Sequence, residues 1–268
     1  MFNQRALYIA GAVALTTLAP LAAKAADMPQ YTPPPVVTAN PTWDWTGFYA
    51  GLNAGYGWSA SNSVDMNYTN SSGFFTPCLA SGACPRGTSF DRDGFVGGGQ
   101  AGYNWQFNQW VLGLEADIDY SDMGGSESLV TNRPGFAVGR YLSSSEINWL
   151  GTLRGRAGFA VDRALFYATG GLAVGGVKDT FSWGFPSVSQ VFAGSNSDTK
   201  WGWTVGGGVE FAVNDHFTLG GQVLYFDLGD TTVAGTPVGA FTPPAGTGLS
   251  GTFDHDGVVA TVRANYKF

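Results

Sequence analysis

Eight stretches of the chain alternate apolar residues with small or polar ones, and the last stretch reaches the C-terminal Phe268. One parity of that stretch is apolar and consists of Val258, Ala260, Val262, Ala264, Tyr266 and Phe268. A period of two is typical of a β-strand whose two faces meet different solvents. An apolar face on nearly every strand favours a closed barrel with lipid outside and polar groups inside. The pattern therefore predicts an all-β fold, an eight-stranded antiparallel up-and-down transmembrane β-barrel over 46–268.

The connections between the predicted strands alternate strictly between short and long. The strands are predicted at roughly 46–58, 93–107, 110–120, 147–161, 164–177, 201–213, 217–228 and the C-terminal end. Turns of two or three residues lie at 108–109, 162–163 and 214–216, and the long segments are 59–92, 121–146, 178–200 and 229–254. Both ends of the barrel sequence lie on the side of the short turns. This arrangement predicts short periplasmic turns and four long outer loops in an outer membrane.

The composition agrees with membrane strands and not with membrane helices. Only 12% of the residues are charged, about half of what a soluble domain carries. Mean hydropathy is +0.00, and no run of about 18 apolar residues follows the N-terminal region, so helical spans are not expected. The net charge is −7 and no stripe of Lys and Arg occurs, which argues against nucleic acid as a partner.

The N-terminal segment is typical of an export signal. Arg5 provides a positive start, 7–18 is apolar and uncharged, and Ala23-Lys24-Ala25 is a suitable cleavage sequence. Cleavage after Ala25 is expected, since the apolar stretch is too short for an uncleaved anchor and is followed by Pro20. A Pro-rich periplasmic lead-in is then predicted at 26–45. We expect the mature protein in the outer membrane of a Gram-negative bacterium.

Two cysteines, Cys78 and Cys84, lie close together in the first predicted outer loop. In an exported protein such a pair favours a disulfide over free thiols. A metal site is disfavoured, because no histidine or further cysteine lies nearby. No cofactor is expected either.

Charged residues within the predicted strands share the polar parity, so they are expected to face the lumen, where they need partners. This predicts a lumen charge network, in which Glu115 and Asp117 pair with Arg154 and Arg156. Such a network either forms a charged constriction for ions or fills a narrow core, and we favour filling because eight strands leave little room. Glycines predicted on the lumen side complicate this, since they either leave water-filled space or relieve curvature: Gly98, Gly102, Gly155, Gly171, Gly206 and Gly208. The predicted network residues are Glu115, Asp117, Asp119, Arg154, Arg156, Glu210 and Arg263.

No motif in the chain predicts catalysis. Gly97, Gly99 and Gly102 match a dinucleotide motif by letter, but they lie in an alternating strand with no following helix. His255, between two aspartates at the end of a predicted loop, is expected to be solvated. The other histidine, His216, lies in a predicted turn, so a Ser/His/Asp triad is not expected and the protein is predicted not to be an enzyme.

The ends of the barrel sequence resemble a known family. The first strand, Trp-Thr-Gly-Phe-Tyr-Ala-Gly-Leu-Asn-Ala-Gly-Tyr-Gly-Trp at 45–58, resembles the signature of the OmpA-like, RopB-type outer-membrane surface antigens. Similar matches are Ala-Asp-Met-Pro at 26–29, Tyr-Phe-Asp-Leu-Gly at 225–229 and the terminal 262–268. The resemblance implies a monomeric eight-stranded barrel, with Phe268 as the signal read by the barrel-assembly machinery. The chain departs from the family at Gln222, where an acidic residue is common.

Three functions follow as hypotheses. The first is a structural, surface-exposed barrel that supports the integrity of the envelope. The second is a small passive porin or ion channel that uses the lumen charges, and the third is a receptor or membrane enzyme formed by the outer loops. Expected partners are outer-membrane lipid and lipopolysaccharide, the barrel-assembly machinery, and host or surface ligands at the outer loops.

Overall fold

The computed structural model describes residues 43–132, 139–185, 189–239 and 242–268. The predicted signal peptide at 1–25 and the lead-in up to residue 42 lie outside the described residues. Short parts of three predicted outer loops, at 133–138, 186–188 and 240–241, also lie outside them.

Eight antiparallel strands close into a ring, which confirms the predicted fold class. The strands of the ring are β1 (Gly47–Ser59), β4 (Asp93–Phe107), β5 (Trp110–Thr131), β6 (Gly139–Val161), β7 (Ala164–Phe185), β8 (Ser189–Ala212), β9 (Phe217–Pro237) and β10 (Thr247–Lys267). They follow one another around the ring in this order, and pairing of β10 with β1 closes it. We call the end with the short turns the turn end and the opposite end the loop end.

The connection between β1 and β4 carries three further elements: β2 (Ser63–Asn70), α1 (Thr76–Ser81) and β3 (Gly87–Ser89). β2 pairs with the first third of β10, from Thr247 to Phe253, so it continues the wall beyond the end of β1. We call residues 60–92 the lid. In the part of the chain that the structure describes, no helix is long and apolar enough to cross a membrane.

Much of what the sequence predicted as outer loop is strand. β5 to β10 are each 21 to 24 residues long, whereas a membrane crossing needs about 9–11. The predicted loops at 121–146, 178–200 and 229–254 are therefore wrong for most of their length. These strand extensions are rich in Ser, Thr and Gly and have no apolar outer face, because this part of the wall is in water. They nevertheless pair with the neighbouring strands.

The outward surface carries apolar residues between two aromatic girdles, as a lipid-facing wall requires. The turn-end girdle consists of Phe48, Phe107, Trp110, Phe159, Phe166, Phe211, Phe217 and Phe268, all exposed. The loop-end girdle includes Tyr56, Trp58, Phe95, Tyr120, Trp201 and Trp203, also exposed. Beyond the loop-end girdle the strands continue as a water-exposed head.

A β-bulge near the middle of β6 changes which residues face the lumen and which face outward. The pairing with β7 shifts between Ile147 and Trp149, so Asn148 is extra. Ile147 is therefore buried in the lumen at 2% exposure, although the alternation along this stretch of the sequence predicts it on the outward face together with Trp149 and Leu153. A bulge is not visible as a break in period when both flanking residues are apolar.

Candidate functional site

The lumen holds the predicted charged residues, and Glu115 lies at their centre. Arg154 Nη2 lies 2.6 Å from Glu115 Oε1 and also pairs with Asp117. Arg156 Nη1 lies 3.5 Å from Glu115 Oε2, and Arg263 Nη2 donates to the same oxygen. The pairs follow from the register, since Glu115 is directly opposite Arg154 in the β5–β6 ladder.

Tyrosines and a second glutamate extend this network across the barrel. Tyr49 Oη donates to Glu115 Oε2 at 2.7 Å. Arg156 Nη2 donates to Glu210 Oε1 at 2.8 Å, and its guanidinium lies 4.0 Å from the centre of the Tyr167 ring. The network therefore connects β1, β5, β6, β7, β8 and β10. Sequence reasoning missed both tyrosines, although Tyr49 and Tyr167 lie on the polar parity of their strands.

Asp119 and Gln222 have different roles from the ion pairs. Asp119 faces the lumen but accepts a hydrogen bond from Asn53 Nδ2 at 2.8 Å and forms no ion pair among the described residues. Gln222 Oε1 accepts a hydrogen bond from Arg263. The neutral Gln222 side chain therefore contacts the same arginine that an acidic residue at this position would pair with by charge. A cavity of about 20 Å³ lies beside these residues, which is room for about one water.

The lumen glycines make room for neighbouring side chains. A Cβ at Gly102 would lie 2.4 Å from Tyr49 Oη, and one at Gly98 would lie 2.5 Å from Asp119 Oδ1. Gly155 is exposed on the outward face, so its predicted lumen position was wrong. At Gly98 and Gly102, a polar group from an adjacent strand fills the space that a side chain would occupy, so these glycines do not leave open space in the lumen.

The turn end of the lumen is closed by a cluster that we call the plug. Trp43 and Trp45 are buried at 5% and 3% exposure and pack with Val111, Ala160, Leu165, Tyr167 and Ala212. Trp45 N donates to Gln106 Oε1 at 2.7 Å, and Lys267 Nζ lies 5.0 Å from the centre of the Trp43 ring. The end of the predicted lead-in, 43–45, is therefore packed into the barrel and is not a plain extended spacer.

A second apolar cluster, the middle cluster, fills the lumen above the charge network. It consists of Val96, Met123, Ile147, Leu150, Ala173, Val177, Phe226, Leu228 and Val259. Its position along the barrel axis follows from β6, on which Leu150 and Ile147 lie closer to the loop end than Arg154 of the charge network. The sequence signal was Phe226, an apolar residue on the polar parity of β9.

A buried polar layer lies between the middle cluster and the head. His255 Nε2 lies 3.0 Å from Asp179 Oδ2, and both side chains are 0% exposed. The same nitrogen lies 3.1 Å from Thr231 Oγ1. Arg92 is also buried, and its Nη1 donates to Ser145 Oγ at 3.3 Å. Our expectation that His255 is solvated was wrong, because the head continues the wall around it.

The head has its own core, which we call the head cluster. Its buried residues are Val64, Met66, Phe75, Cys84, Phe90, Tyr141, Phe181, Trp183, Val191, Phe192, Val233, Leu249 and Phe253. Phe75, from the lid, is 1% exposed and lies 5.7 Å from Trp183, ring centre to ring centre. A disulfide joins Cys78 to Cys84 in the lid, as predicted. The lid thus covers the loop end and packs its aromatic side chains inward.

The described residues offer little for catalysis. Within them, no group of three or more His, Cys, Asp or Glu side chains could hold a metal ion. What the geometry does provide is a lumen filled in five successive layers: the plug, the charge network, the middle cluster, the His255 layer and the head cluster. The chain order of β6, β7 and β10 fixes this sequence of layers.

Comparison with known proteins identifies the family. The model of the outer membrane protein beta-barrel domain matches residues 11–268. The chain belongs to this family.

Relatives of this outer-membrane barrel include a 31 kDa outer-membrane immunogenic protein of Brucella melitensis. It is 38% identical over 207 residues, which cover 73% of this chain and 77% of the relative. A 22 kDa outer membrane protein of Rhizobium leguminosarum is 37% identical over 139 residues, covering 51% and 55%. The crystal structure of OprG from Pseudomonas aeruginosa covers 85% of this chain and 98% of its own, with 15% identity and a TM-score of 0.49.

The family and its relatives place this barrel in the outer membrane of a Gram-negative bacterium. Its relatives are named as outer-membrane immunogenic proteins. The protein is thus an outer-membrane β-barrel, as the strand pattern predicted, with an envelope and surface role, as the family resemblance implied.

Proposed function

We propose that the protein is a non-conducting barrel that reinforces the outer membrane and holds a folded head at the cell surface. The observation that carries this proposal is the filled lumen. Arg154, Arg156 and Glu115 are each at most 4% exposed, and apolar clusters lie on both sides of them. No catalytic step is part of the proposal.

The energetics support a reinforcing role for the network. Breaking one buried ion pair leaves an uncompensated charge, which destabilises a protein by about 3–5 kcal/mol. Because the ion pairs join β5, β6, β8 and β10, separating any of these four strands from the others leaves such a charge unpaired. The apolar layers above and below it keep water out and so strengthen the attraction between the charges.

Conductance of the mature protein in a planar bilayer tests the proposal. We expect folded protein, verified by its gel mobility before and after heating, to give no reproducible current steps. The double variant Trp43→Ala with Trp45→Ala is expected to stay closed as well, since the network and the middle cluster still fill the lumen. Single-channel steps in wild-type protein that change with Arg154→Ala or Arg156→Ala would overturn the proposal in favour of a small ion channel.

A deletion strain tests the same proposal in the cell. We expect the deletion strain to be more sensitive to detergent than its parent strain. Wild-type protein and the double variant Trp43→Ala with Trp45→Ala are both expected to restore detergent resistance. Normal detergent resistance of the deletion strain would contradict a reinforcing role.

The partners that fit this role are outer-membrane lipid and lipopolysaccharide around the wall and the barrel-assembly machinery during insertion. Host or surface ligands would meet the head, because it is the part that extends beyond the membrane. A strand tilted by about 40° rises about 2.5 Å per residue along the barrel axis. The ten residues of β6 from Gly139 to Asn148 therefore carry the head about 25 Å beyond the girdle.

A further inference from the structure

The lumen charge network contains four carboxylates but only three guanidiniums. The carboxylates belong to Glu115, Asp117, Asp119 and Glu210, and the guanidiniums belong to Arg154, Arg156 and Arg263. The largely apolar plug and middle cluster separate this network from the charged residues nearer the two ends of the barrel. One negative charge of the network is therefore unbalanced inside the barrel.

Asp119 is the carboxylate that the ion pairs leave over. It is 7% exposed, and in the part of the chain that the structure describes its side chain accepts one hydrogen bond, from Asn53 Nδ2 at 2.8 Å. Gly98 lies opposite Asp119 in the β4–β5 ladder, so the fold admits this carboxylate where a larger residue would exclude it. A buried carboxylate is tolerated when a counter-charge and hydrogen bonds satisfy it. One amide donor does not supply that counter-charge.

The small cavity in the network adjoins this carboxylate. Its volume is about 20 Å³, and Asn53, Asp117 and Asp119 are among the residues that line it. Leu150 and Val259 of the middle cluster cover it on the side of the loop end. The cavity therefore offers space for one small species next to the unbalanced charge.

Two further oxygen atoms of the lining residues have no hydrogen-bond partner among the described residues. They are Asp117 Oδ1 and Asn53 Oδ1, and both are buried. The other oxygen of Asp117, Oδ2, is occupied, because it accepts from Thr152 Oγ1 at 2.6 Å and pairs with Arg154. Two carboxylates and one amide thus bring incompletely satisfied oxygens to one cavity. Oxygen atoms of this kind are the ligands that hard cations prefer.

The charge balance selects a monovalent cation for this cavity. Arg154 and Arg263 also line it, but their charges are already paired with Glu115 and Asp117. Water would leave the excess charge in place, and a calcium ion needs roughly six to eight oxygen ligands, more than this lining supplies. A proton on Asp119 would balance the charge but would satisfy at most one of the other two oxygens, whereas a cation coordinates all three.

We propose that this cavity binds one alkali-metal cation, Na⁺ or K⁺, through the side-chain oxygens of Asp119, Asp117 and Asn53. The ion neutralises Asp119 and is enclosed when the ring closes, so it binds the folded barrel and not the unfolded chain. Its binding free energy therefore adds to the stability of the barrel. The site goes beyond the reinforcing role proposed above, and a lumen without this ion would still be filled and closed.

The test is urea unfolding of full-length mature protein refolded in non-ionic detergent, with NaCl or KCl replaced stepwise by choline chloride at constant ionic strength. Choline is too large for the cavity. Above the dissociation constant of the ion, we expect the folding equilibrium constant to rise about tenfold for each tenfold rise in Na⁺ or K⁺. This dependence is expected to vanish in Asp119→Asn. The matched control is Asp122→Asn, an exposed aspartate of the same strand, which is expected to keep the dependence of the wild type.

A second variant and a second measurement locate the ion. Asn53→Ala keeps both carboxylates and is expected to weaken the dependence on Na⁺ and K⁺ severalfold, and crystals grown with rubidium chloride are expected to show an anomalous scattering peak beside Asp119. Equal stability in choline, Na⁺ and K⁺ would overturn the proposal, as would a dependence that persists in Asp119→Asn. Stability that changes with pH but not with the alkali cation would also overturn it, because Asp119 would then carry a proton.

Discussion

At the scale of single residues, the arrangement around Glu115 decides how the lumen is held together. One carboxylate accepts from Arg154, Arg156, Arg263 and Tyr49. A buried carboxylate is tolerated only when its oxygens are fully paired. Glu115 is therefore the residue whose loss leaves the most unpaired donors.

Replacing Glu115 with Gln is expected to destabilise the folded barrel by about 3–5 kcal/mol, because buried guanidiniums lose their counter-charge. Urea unfolding of protein refolded in detergent measures this. The matched control is Asp119→Asn, which removes a lumen carboxylate without an ion pair and is expected to lower stability by about 1 kcal/mol. Equal effects of the two variants would show that the network does not act as a unit.

In the sequence, the charged residues share one of the two alternating faces of their strands. Because a charge on the lipid side is too costly, this predicted that Glu115, Asp117, Arg154 and Arg156 face the lumen. The tyrosines were not predicted, because Tyr49 lies among glycines and reads equally well as a girdle residue. The contact between Arg156 and Glu210 was not predictable either. It joins β6 to β8, which are separated by β7 in the ring, and strand order along the chain predicts only contacts between neighbouring strands.

At the scale of elements, the lid is attached to the head by apolar packing and by a tyrosine pair. Tyr68 of β2 donates to the carbonyl of Pro85 at 2.7 Å, and its hydroxyl lies 3.4 Å from that of Tyr141 on β6. Burial raises the pKa of Tyr68 to about 12. Burial, and next the neighbouring Tyr68, also raise the pKa of Tyr141.

These shifts predict that the lid opens in alkali. A tyrosine in an open lid ionises near pH 10, whereas closed Tyr68 stays protonated to about pH 12. Stability of the closed lid is therefore complete below pH 10 and is lost as the pH rises through 12. Phenolate absorbance followed together with proteolysis of residues 60–92 measures the opening.

The control for this prediction is Tyr68→Phe, which is expected to make lid opening less dependent on pH while keeping the lid closed at pH 8. A lid that opens at the same pH in wild type and variant would refute the role of Tyr68.

The lid was only partly visible in the sequence. The cysteine pair and the aromatic residues Phe74 and Phe75 were evident, but β2 was not. Its pairing with β10 joins residues about 180 positions apart, and such a contact leaves no local period. The same limit explains why the head was mistaken for loops: its inner face is apolar, but its outer face is polar and rich in Ser and Thr.

At the scale of the whole molecule, Phe268 lies in the turn-end girdle beside the seam that closes the ring. Its side chain is 76% exposed, and its ring lies 5.1 Å from that of Tyr266, centre to centre. Its backbone N donates to Phe48 O at 3.0 Å, next to the seam between β1 and β10. Because this ring is largely exposed, it adds little packing to the folded barrel.

Deleting Phe268 is expected to reduce the amount of folded protein in the outer membrane severalfold while leaving refolding in detergent nearly unchanged. The reason is that the terminal aromatic resembles the signal read by the assembly machinery. Phe217→Ala is the matched control, since Phe217 also packs on Tyr266, at 5.1 Å, but is not terminal. A similar loss of assembly for both variants would show that girdle packing, and not the terminus, is read.

The position of β10 imposes an order on the biogenesis of the protein. This strand pairs with β9 on one side and with both β1 and β2 on the other. The membrane ring and the wall of the head are thus completed by the same strand, which follows all the other described strands in the chain. A chain that stops short of β10 has neither a seam nor an anchored lid. Completion of the transmembrane part and completion of the surface part are therefore one event.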